Sequence, residues 1–371
     1  MNEDTAIKTL KDCGVDLIAS LPCDKNKGFT AQIHGCFDVI DLTREEDGVG
    51  VCAGAVLAGR KPVVSIQSSG LGNMMNAIMS LTAVYQLPLP IICSWRGVEN
   101  EAIEAQIPFN SRIPRMLDAF GIPSYVVNTP EEFSVMGEAV KKAFDEGIVT
   151  VTLIKPSVWG PAPAPVTEFP SRQEDMELHM TRKFVCPSYK RLDAIREIMS
   201  RITPDTAVVS NIGVPSKEVN ACGDRDLNFY MLGSYTQASA IGLGLAFCTD
   251  RKVVVIDGDG SLLGSSVLPV MASVDPENLT VFCMDNGTFG STGNQINQAY
   301  AHSDLEAAAR AYGVKDTMLA LSGDDIMEAL NKPRKGTRFV RVPITPGNSK
   351  SPNITLKGTE IRDRFVKALK N

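Results

Sequence analysis

Two short segments carry the clearest chemistry in this chain. Val255-Ile-Asp-Gly-Asp-Gly-Ser-Leu262 closes one apolar run, and Met284-Asp-Asn-Gly-Thr-Phe-Gly290 closes another. In an open parallel sheet, ligands bind beyond the carboxyl ends of the strands. Gly258 and Gly260 let the backbone come close to a ligand, and the amides of Gly260 and Ser261, at a helix start, suit phosphate oxygens. Asp259 offers a carboxylate and Asn286 an amide oxygen. Both are hard donors suited to a magnesium ion bridging a diphosphate, with a backbone carbonyl at Thr288 as a third. A Gly-Asp-Gly triplet alone marks only a strand-to-helix turn; a second oxygen donor at another strand end is what points to a metal.

Other segments hold polar groups at element boundaries. Thr43-Arg-Glu-Glu-Asp-Gly-Val-Gly-Val-Cys-Ala-Gly54 follows a strand and opens a helix, where Glu45 and Glu46 favour the positive helix end. Gln67-Ser-Ser-Gly-Leu-Gly-Asn-Met-Met-Asn-Ala77 and Tyr230-Met-Leu-Gly-Ser-Tyr-Thr-Gln237 read as glycine-containing helix entries. Arg96, in Ser94-Trp-Arg-Gly97, suits either a structural ion pair or paired hydrogen bonds to a tetrahedral anion.

The elements that must position these groups alternate along the chain. Strands are expected near 15–20, 37–42, 62–67, 89–94, 123–128 and 149–155, and again near 206–211, 227–231, 252–257, 279–285, 315–320 and 337–343. Helices are expected near 4–13, 44–59, 73–86, 130–146, 189–202, 236–248, 305–313 and 323–331, with a short one from about Lys357. This alternation predicts an α/β chain of two doubly wound parallel-sheet domains. Lys252-Val-Val-Val-Ile-Asp257 lacks polar alternation, as a strand covered on both faces should, whereas Val149-Thr-Val-Thr152 alternates and is expected nearer a sheet edge. The proline-rich stretch from Lys155 to Pro165 cannot form helix or central strand. It divides the chain into a first domain at 1–160, a linker at 161–185 and a second domain at 186–371.

Composition narrows the function. The chain has 371 residues, 22% of them charged, and a net charge of −6, so it is not built around a polyanion such as nucleic acid. No apolar run reaches the roughly 18 residues of a membrane span, and Met1-Asn2-Glu3-Asp4 opens no secretory leader, so a cytoplasmic location is expected. Nine cysteines without a C-x-x-C pair read as reduced, mostly core thiols, and three scattered histidines offer no local zinc pattern. No G-x-G-x-x-G follows a first strand, which sets a nicotinamide dehydrogenase aside.

Twenty-four residues separate Gly260 from Asp285. With that spacing, Gly258-Asp-Gly260 and Asp285-Asn286 resemble the paired cofactor motif of the thiamine diphosphate-dependent 2-oxoacid decarboxylase family. The resemblance covers nearly the whole chain, with a pyrimidine-binding domain first and a diphosphate-binding domain second. The central domain of larger members is missing. It implies thiamine diphosphate and Mg2+ as cofactors, with Asp259, Asn286 and Thr288 at the metal. Gly233, Ser234, Tyr235, Gly258, Gly260, Ser261 and Phe289 would complete the coenzyme site. It also implies a glutamate, nine residues before Gly54, that bonds the aminopyrimidine; this is Glu45 in preference to Glu46. Tyr235 stands where relatives carry an aliphatic side chain or methionine that bends the coenzyme.

Gln67–Ala77 and Ser94–Gly97 resemble segments of the short sulfopyruvate and phosphonopyruvate decarboxylases, which implies Arg96, Ser291, Thr292 and Gln295 on the substrate side. The histidine that follows the arginine in phosphonate enzymes is absent, since the stretch reads Glu104-Ala-Gln106-Ile107. The resemblance therefore implies conversion of sulfopyruvate to sulfoacetaldehyde and CO2, a step toward coenzyme M, with a phosphonopyruvate decarboxylase or a carboligase as the alternative. It further implies two ordinarily separate subunits fused into one chain, and a homodimer or larger even assembly. Glu45 of one copy would then meet Asp259 of another.

Overall fold

The structure is a computed structural model that describes residues 2–160, 185–187 and 189–371. Apart from Val185, the expected linker lies outside the described residues.

The first half forms a sheet from β1 (Leu17–Ser20), β2 (Asp38–Asp41), β3 (Pro62–Gln67), β4 (Leu89–Ser94), β5 (Ser124–Val127) and β6 (Val149–Ile154). Its order is β2-β1-β3-β4-β6-β5, with every pairing parallel. The second half begins with β7 (Ala207–Ser210), β8 (Asn228–Tyr230), β9 (Val253–Gly258) and β10 (Leu279–Asp285). A two-stranded antiparallel hairpin follows, β11 (Thr288–Phe289) with β12 (Gln295–Ile296), and then come β13 (Asp316–Leu319) and β14 (Arg338–Pro343). The large second sheet runs β13-β14-β10-β9-β7-β8, again all parallel. Both halves are thus doubly wound α/β sheets, as the alternation required.

The apolar runs explain the layering. Val253, Val255, Ile256, Val281, Phe282 and Cys283 are fully buried, because helices cover both faces of the sheet. Strand β6 lies beside the edge strand β5, nearer an edge as expected, yet its alternating Thr150 and Thr152 are buried rather than solvated. Thr150 satisfies its hydroxyl by donating to the Ala139 carbonyl at 2.9 Å, so the alternation reflects a local hydrogen bond and not exposure.

In the second sheet the chain leaves β7 toward β8 on one side and reaches β9 on the other, so strand order reverses between β7 and β9. A crevice opens at such a reversal. Register places Met284 of β10 beside Gly258 of β9, so the two chemistry-bearing loops emerge at one level.

The halves share a continuous core. Helix Glu45–Leu57 lies along helix Ala238–Phe247 at a distance only glycines permit. A Cβ on Gly54 would stand 2.1 Å from the Ile241 carbonyl oxygen, and one on Gly244 would stand 2.0 Å from that of Val51. The C-terminal helix Gly358–Leu369 bridges the same halves. Arg362 donates to the Tyr85 and Gln86 carbonyls at 2.8 and 2.9 Å, while Phe365 packs edge-on against Phe229 with centroids 5.6 Å apart.

Candidate active site at the seam of the two halves

The loops after β7, β9 and β10 enclose a cavity of about 330 Å3, lined among others by Asn211, Tyr235, Gly258, Asp259, Gly260 and Ser261. Asn286, Thr288, Phe289, Ser291 and Thr292 complete its opposite wall. The paired motifs therefore converge as expected.

Asp259 is 3% exposed and opens the helix Asp259–Gly264; its Oδ2 accepts from Asn297 Nδ2 at 2.9 Å. Burial first, and then the Asp285 carboxylate, push its pKa up to about 6. A divalent cation would relieve that penalty and hold the group ionised. Asn286 is buried, and its Oδ1 accepts from the Thr288 amide at 2.9 Å, which fixes the side chain while leaving the oxygen a second lone pair. Asp285, though adjacent, is engaged elsewhere: Arg341 Nε donates to it at 2.6 Å. Among the described residues no three His, Cys, Asp or Glu side chains cluster as a metal site. One carboxylate, one amide oxygen and a carbonyl is instead the mixed oxygen set that suits magnesium beside a phosphate.

The cradle for that phosphate is also visible. Ser261 Oγ is buried and makes no hydrogen bond. A Cβ on Gly260 would lie 2.8 Å from the Phe289 ring, so only glycine fits there. Gly258 carries no such constraint; a Cβ there would meet only Asn211 Nδ2, at 3.5 Å.

Gly233, Ser234 and Tyr235 form a strained turn before helix Ala238–Phe247. Ser234 and Thr236 have φ of 70° and 76°, and a β-branched residue in that region is held there by its surroundings. Ser234 Oγ is buried without a partner. Tyr235 stands at the cavity wall, its hydroxyl donating to the Gly260 carbonyl at 2.5 Å and its ring against Gly264. Its pKa is raised by burial and then by the negative charges of Asp257, Asp259 and Glu46.

Two consecutive glutamates open helix Glu45–Leu57 and, about 100° apart on it, meet different neighbours. Asn73 Nδ2 donates to Glu45 at 2.9 Å, and Gly70 leaves room for its side chain. Glu46 accepts from Arg44 Nε at 3.3 Å; its side chain is 13% exposed, and burial raises its pKa against the opposing pull of Arg44.

The two halves also touch within the chain. Thr43 Oγ1 donates to the Ser266 carbonyl at 2.9 Å, Ser265 Oγ to Asp47 at 3.2 Å, and the Gly50 amide to Gln237 Oε1 at 3.0 Å. The glutamate helix is thus packed on the segment that follows helix Asp259–Gly264.

On the substrate side, Ser291 and Thr292 line the cavity. Gln295 is not among the lining residues; it exchanges hydrogen bonds with Thr292, at 2.7 and 3.0 Å. Arg96 is placed differently from its expected role. It is 2% exposed, and its guanidinium nitrogens donate to Glu101 at 2.6 and 2.9 Å and to Asp24 at 2.6 Å. All three nitrogens are thus committed to carboxylates of the first half, and an anion would have to displace one of them. Sequence reasoning passed over Arg191, Asn211 and Asn297. None belongs to a glycine-bearing motif, and only the fold brings the first two to the cavity wall and Asn297 onto Asp259.

Comparison with known proteins agrees with this geometry. Residues 3–113 match the thiamine pyrophosphate enzyme N-terminal TPP binding domain, and residues 223–344 match the C-terminal TPP binding domain. The chain is 40% identical to a sulfopyruvate decarboxylase of Methanosarcina acetivorans, over 99% of this chain and 97% of that one. It is 32% identical to a phosphonopyruvate decarboxylase of Streptomyces hygroscopicus, over 91% and 86%. The crystal structure of benzoylformate decarboxylase from Polynucleobacter necessarius shares the fold, with a TM-score of 0.72 at 13% identity, over 94% of this chain and 99% of that one. With both coenzyme-binding halves matched and a relative aligned almost end to end, the chain belongs to the thiamine pyrophosphate enzyme family.

Proposed function

We propose that this protein is a thiamine diphosphate- and Mg2+-dependent carboxy-lyase that converts sulfopyruvate to sulfoacetaldehyde and CO2, in coenzyme M biosynthesis. The observation that carries the reading is the convergence, on one cavity, of Tyr235 with the Gly258–Ser261 and Asn286–Thr288 loops. The full-length likeness to a sulfopyruvate decarboxylase, at 40% identity against 32% for a phosphonopyruvate decarboxylase, favours the sulfonate.

Loss of CO2 from a 2-oxoacid leaves a carbanion that no side chain stabilises, and the thiazolium of the bound coenzyme supplies the electron sink. The chain's own residues supply position and proton control. Asp259, Asn286 and the Thr288 carbonyl would hold the cation and, through it, the diphosphate. Ser261 Oγ and the Gly260 amide would take phosphate oxygens. Glu45, at the start of the helix that packs against the second half, would hold a proton at the pyrimidine end. Tyr235, pinned to Gly260, would fill the space beneath the coenzyme's bend.

The protein is further read as a cytoplasmic homo-oligomer of even number. Among the described residues no helix is long and apolar enough to cross a membrane. Met79, Val84 and Leu232 are exposed apolar side chains, the kind of surface a second copy would cover. The deciding experiment is turnover of sulfopyruvate and phosphonopyruvate by purified protein with magnesium and coenzyme, followed by CO2 release. Preference for phosphonopyruvate would move the substrate assignment, and acyloin products would indicate a carboligase.

A further inference from the structure

Arg191 is the one cationic side chain lining the cavity of the Asp259 and Asn286 loops. It is 6% exposed, at the start of helix Arg191–Arg201. Nε donates to Glu218 Oε2 at 2.6 Å, and Nη2 donates to Asn348 Oδ1 at 2.8 Å. Asn348 in turn donates to the Gly290 carbonyl at 2.6 Å, so Glu218, Arg191, Asn348 and Gly290 form one chain of contacts behind the metal loop. Nη1 is left out of this network. It makes no hydrogen bond among the described residues and would lie 3.5 Å from a Cβ on Gly290, which itself lines the cavity.

A guanidinium carries five N–H donors in a fixed fork, and the two on Nη1 remain for water or a ligand. Arg96 supplies the contrast within the same protein, since its nitrogens are all consumed by carboxylates. The Arg191 guanidinium is oriented by Glu218 and Asn348, and its Nη1 lies near Gly290 at the cavity wall.

We infer that Arg191 forms an oxyanion subsite in this cavity, its Nη1 donating to a tetrahedral phosphate or sulfonate. The inference rests on reading the cavity as the coenzyme and substrate site. Two sources share that chemistry, the terminal phosphate of the coenzyme and the sulfonate of the substrate.

The test compares wild type, Arg191→Met, Arg191→Lys and Glu218→Gln by two readouts. One is calorimetric affinity for thiamine diphosphate with magnesium; the other is the KM for sulfopyruvate at saturating coenzyme. Arg191→Met should weaken one of the two at least tenfold. Glu218→Gln, which keeps the guanidinium but removes its salt bridge, should leave that quantity within threefold of wild type. A loss in calorimetric affinity identifies the phosphate, and a loss in KM alone identifies the sulfonate. Should Arg191→Met not fold, Arg191→Lys keeps the charge without the fork and should still lose at least threefold. Wild-type values for both quantities in the arginine variants would overturn the subsite. So would equal losses in the Arg191 and Glu218 variants, which would make Arg191 a buttress only. Failure of the functional reading looks different: wild type itself would neither bind the coenzyme nor consume sulfopyruvate. In that case the subsite is judged by inorganic sulfate, which should raise the Tm of wild type but not of Arg191→Met, and an equal rise would overturn it.

Discussion

Gly54 and Ile241 touch so closely that a methyl group on the glycine would stand 2.1 Å from the Ile241 carbonyl oxygen. This contact, with its counterpart between Gly244 and Val51, brings Glu46 from one half to within electrostatic reach of Tyr235 in the other. The obstacle on each side is backbone, which cannot rotate away as a flexible side chain would.

Gly54→Ala should therefore destabilise the protein by about 3 kcal/mol or more, at or above the upper end of ordinary overpacking costs. Urea unfolding would report it. Gly54→Ala combined with Gly244→Ala should cost less than the sum of the two, because either one already forces the helices apart. Full additivity would mean the helices do not share one contact.

Glu45→Gln should bind coenzyme and stay folded yet lose roughly 10²–10⁴ in decarboxylation, the usual value of a positioned acid–base group. Glu46→Gln should lose far less, since its carboxylate is paired with Arg44. Steady-state rates of the two variants, measured side by side, decide between adjacent residues. The reverse ranking would move the role to Glu46.

Asp259→Ala should weaken magnesium-dependent coenzyme binding by roughly a hundredfold or more, because it removes the only carboxylate of the oxygen set. Asp285→Asn should act on stability instead, by depriving half-buried Arg341 of one of its two carboxylate partners. Calorimetry and thermal unfolding on both variants separate the roles. Equal coenzyme affinity in Asp259→Ala and wild type would refute the metal assignment.

Asp47 sets a pH dependence. Burial is the main cause that raises its carboxyl from the ordinary 3.8 to about 7, with the Ser265 hydrogen bond opposing. Between those values the folded chain binds more protons at this site than the unfolded chain does. Stability therefore falls as pH rises through that window. Asp47→Asn keeps an acceptor for Ser265 and removes the charge, so it should be more stable than wild type at pH 8 by on the order of 1–3 kcal/mol, and nearly equal at pH 4. Denaturation curves at both pH values check the sign, and a variant less stable at pH 8 would contradict it.

Much of this was legible in the chain. The apolar runs at 253–258 and 279–285 fixed the central strands, because a strand covered on both faces has no polar alternation to disguise it. Gly260 and Asn286 could be located because their chemistry demands particular residue types at strand ends. Helices such as Val214–Ala221 and Val267–Val274 escaped notice; they are short, and one opens with a proline. That Glu45 meets Asn73 while Glu46 meets Arg44 follows from helix rotation and the fold, which spacing to a distant glycine does not report. Arg96 and Arg191 show the same limit from opposite sides. A motif context drew attention to the arginine whose carboxylates are 5 and 72 residues away, and no motif marked the one whose free donor faces the cavity.

The helix Gly358–Leu369 belongs to neither sheet yet holds both. Its Arg362 grips carbonyls of the first half and its Phe365 grips an aromatic ring of the second. A disturbance confined to this one helix would therefore be felt in both sheets at once.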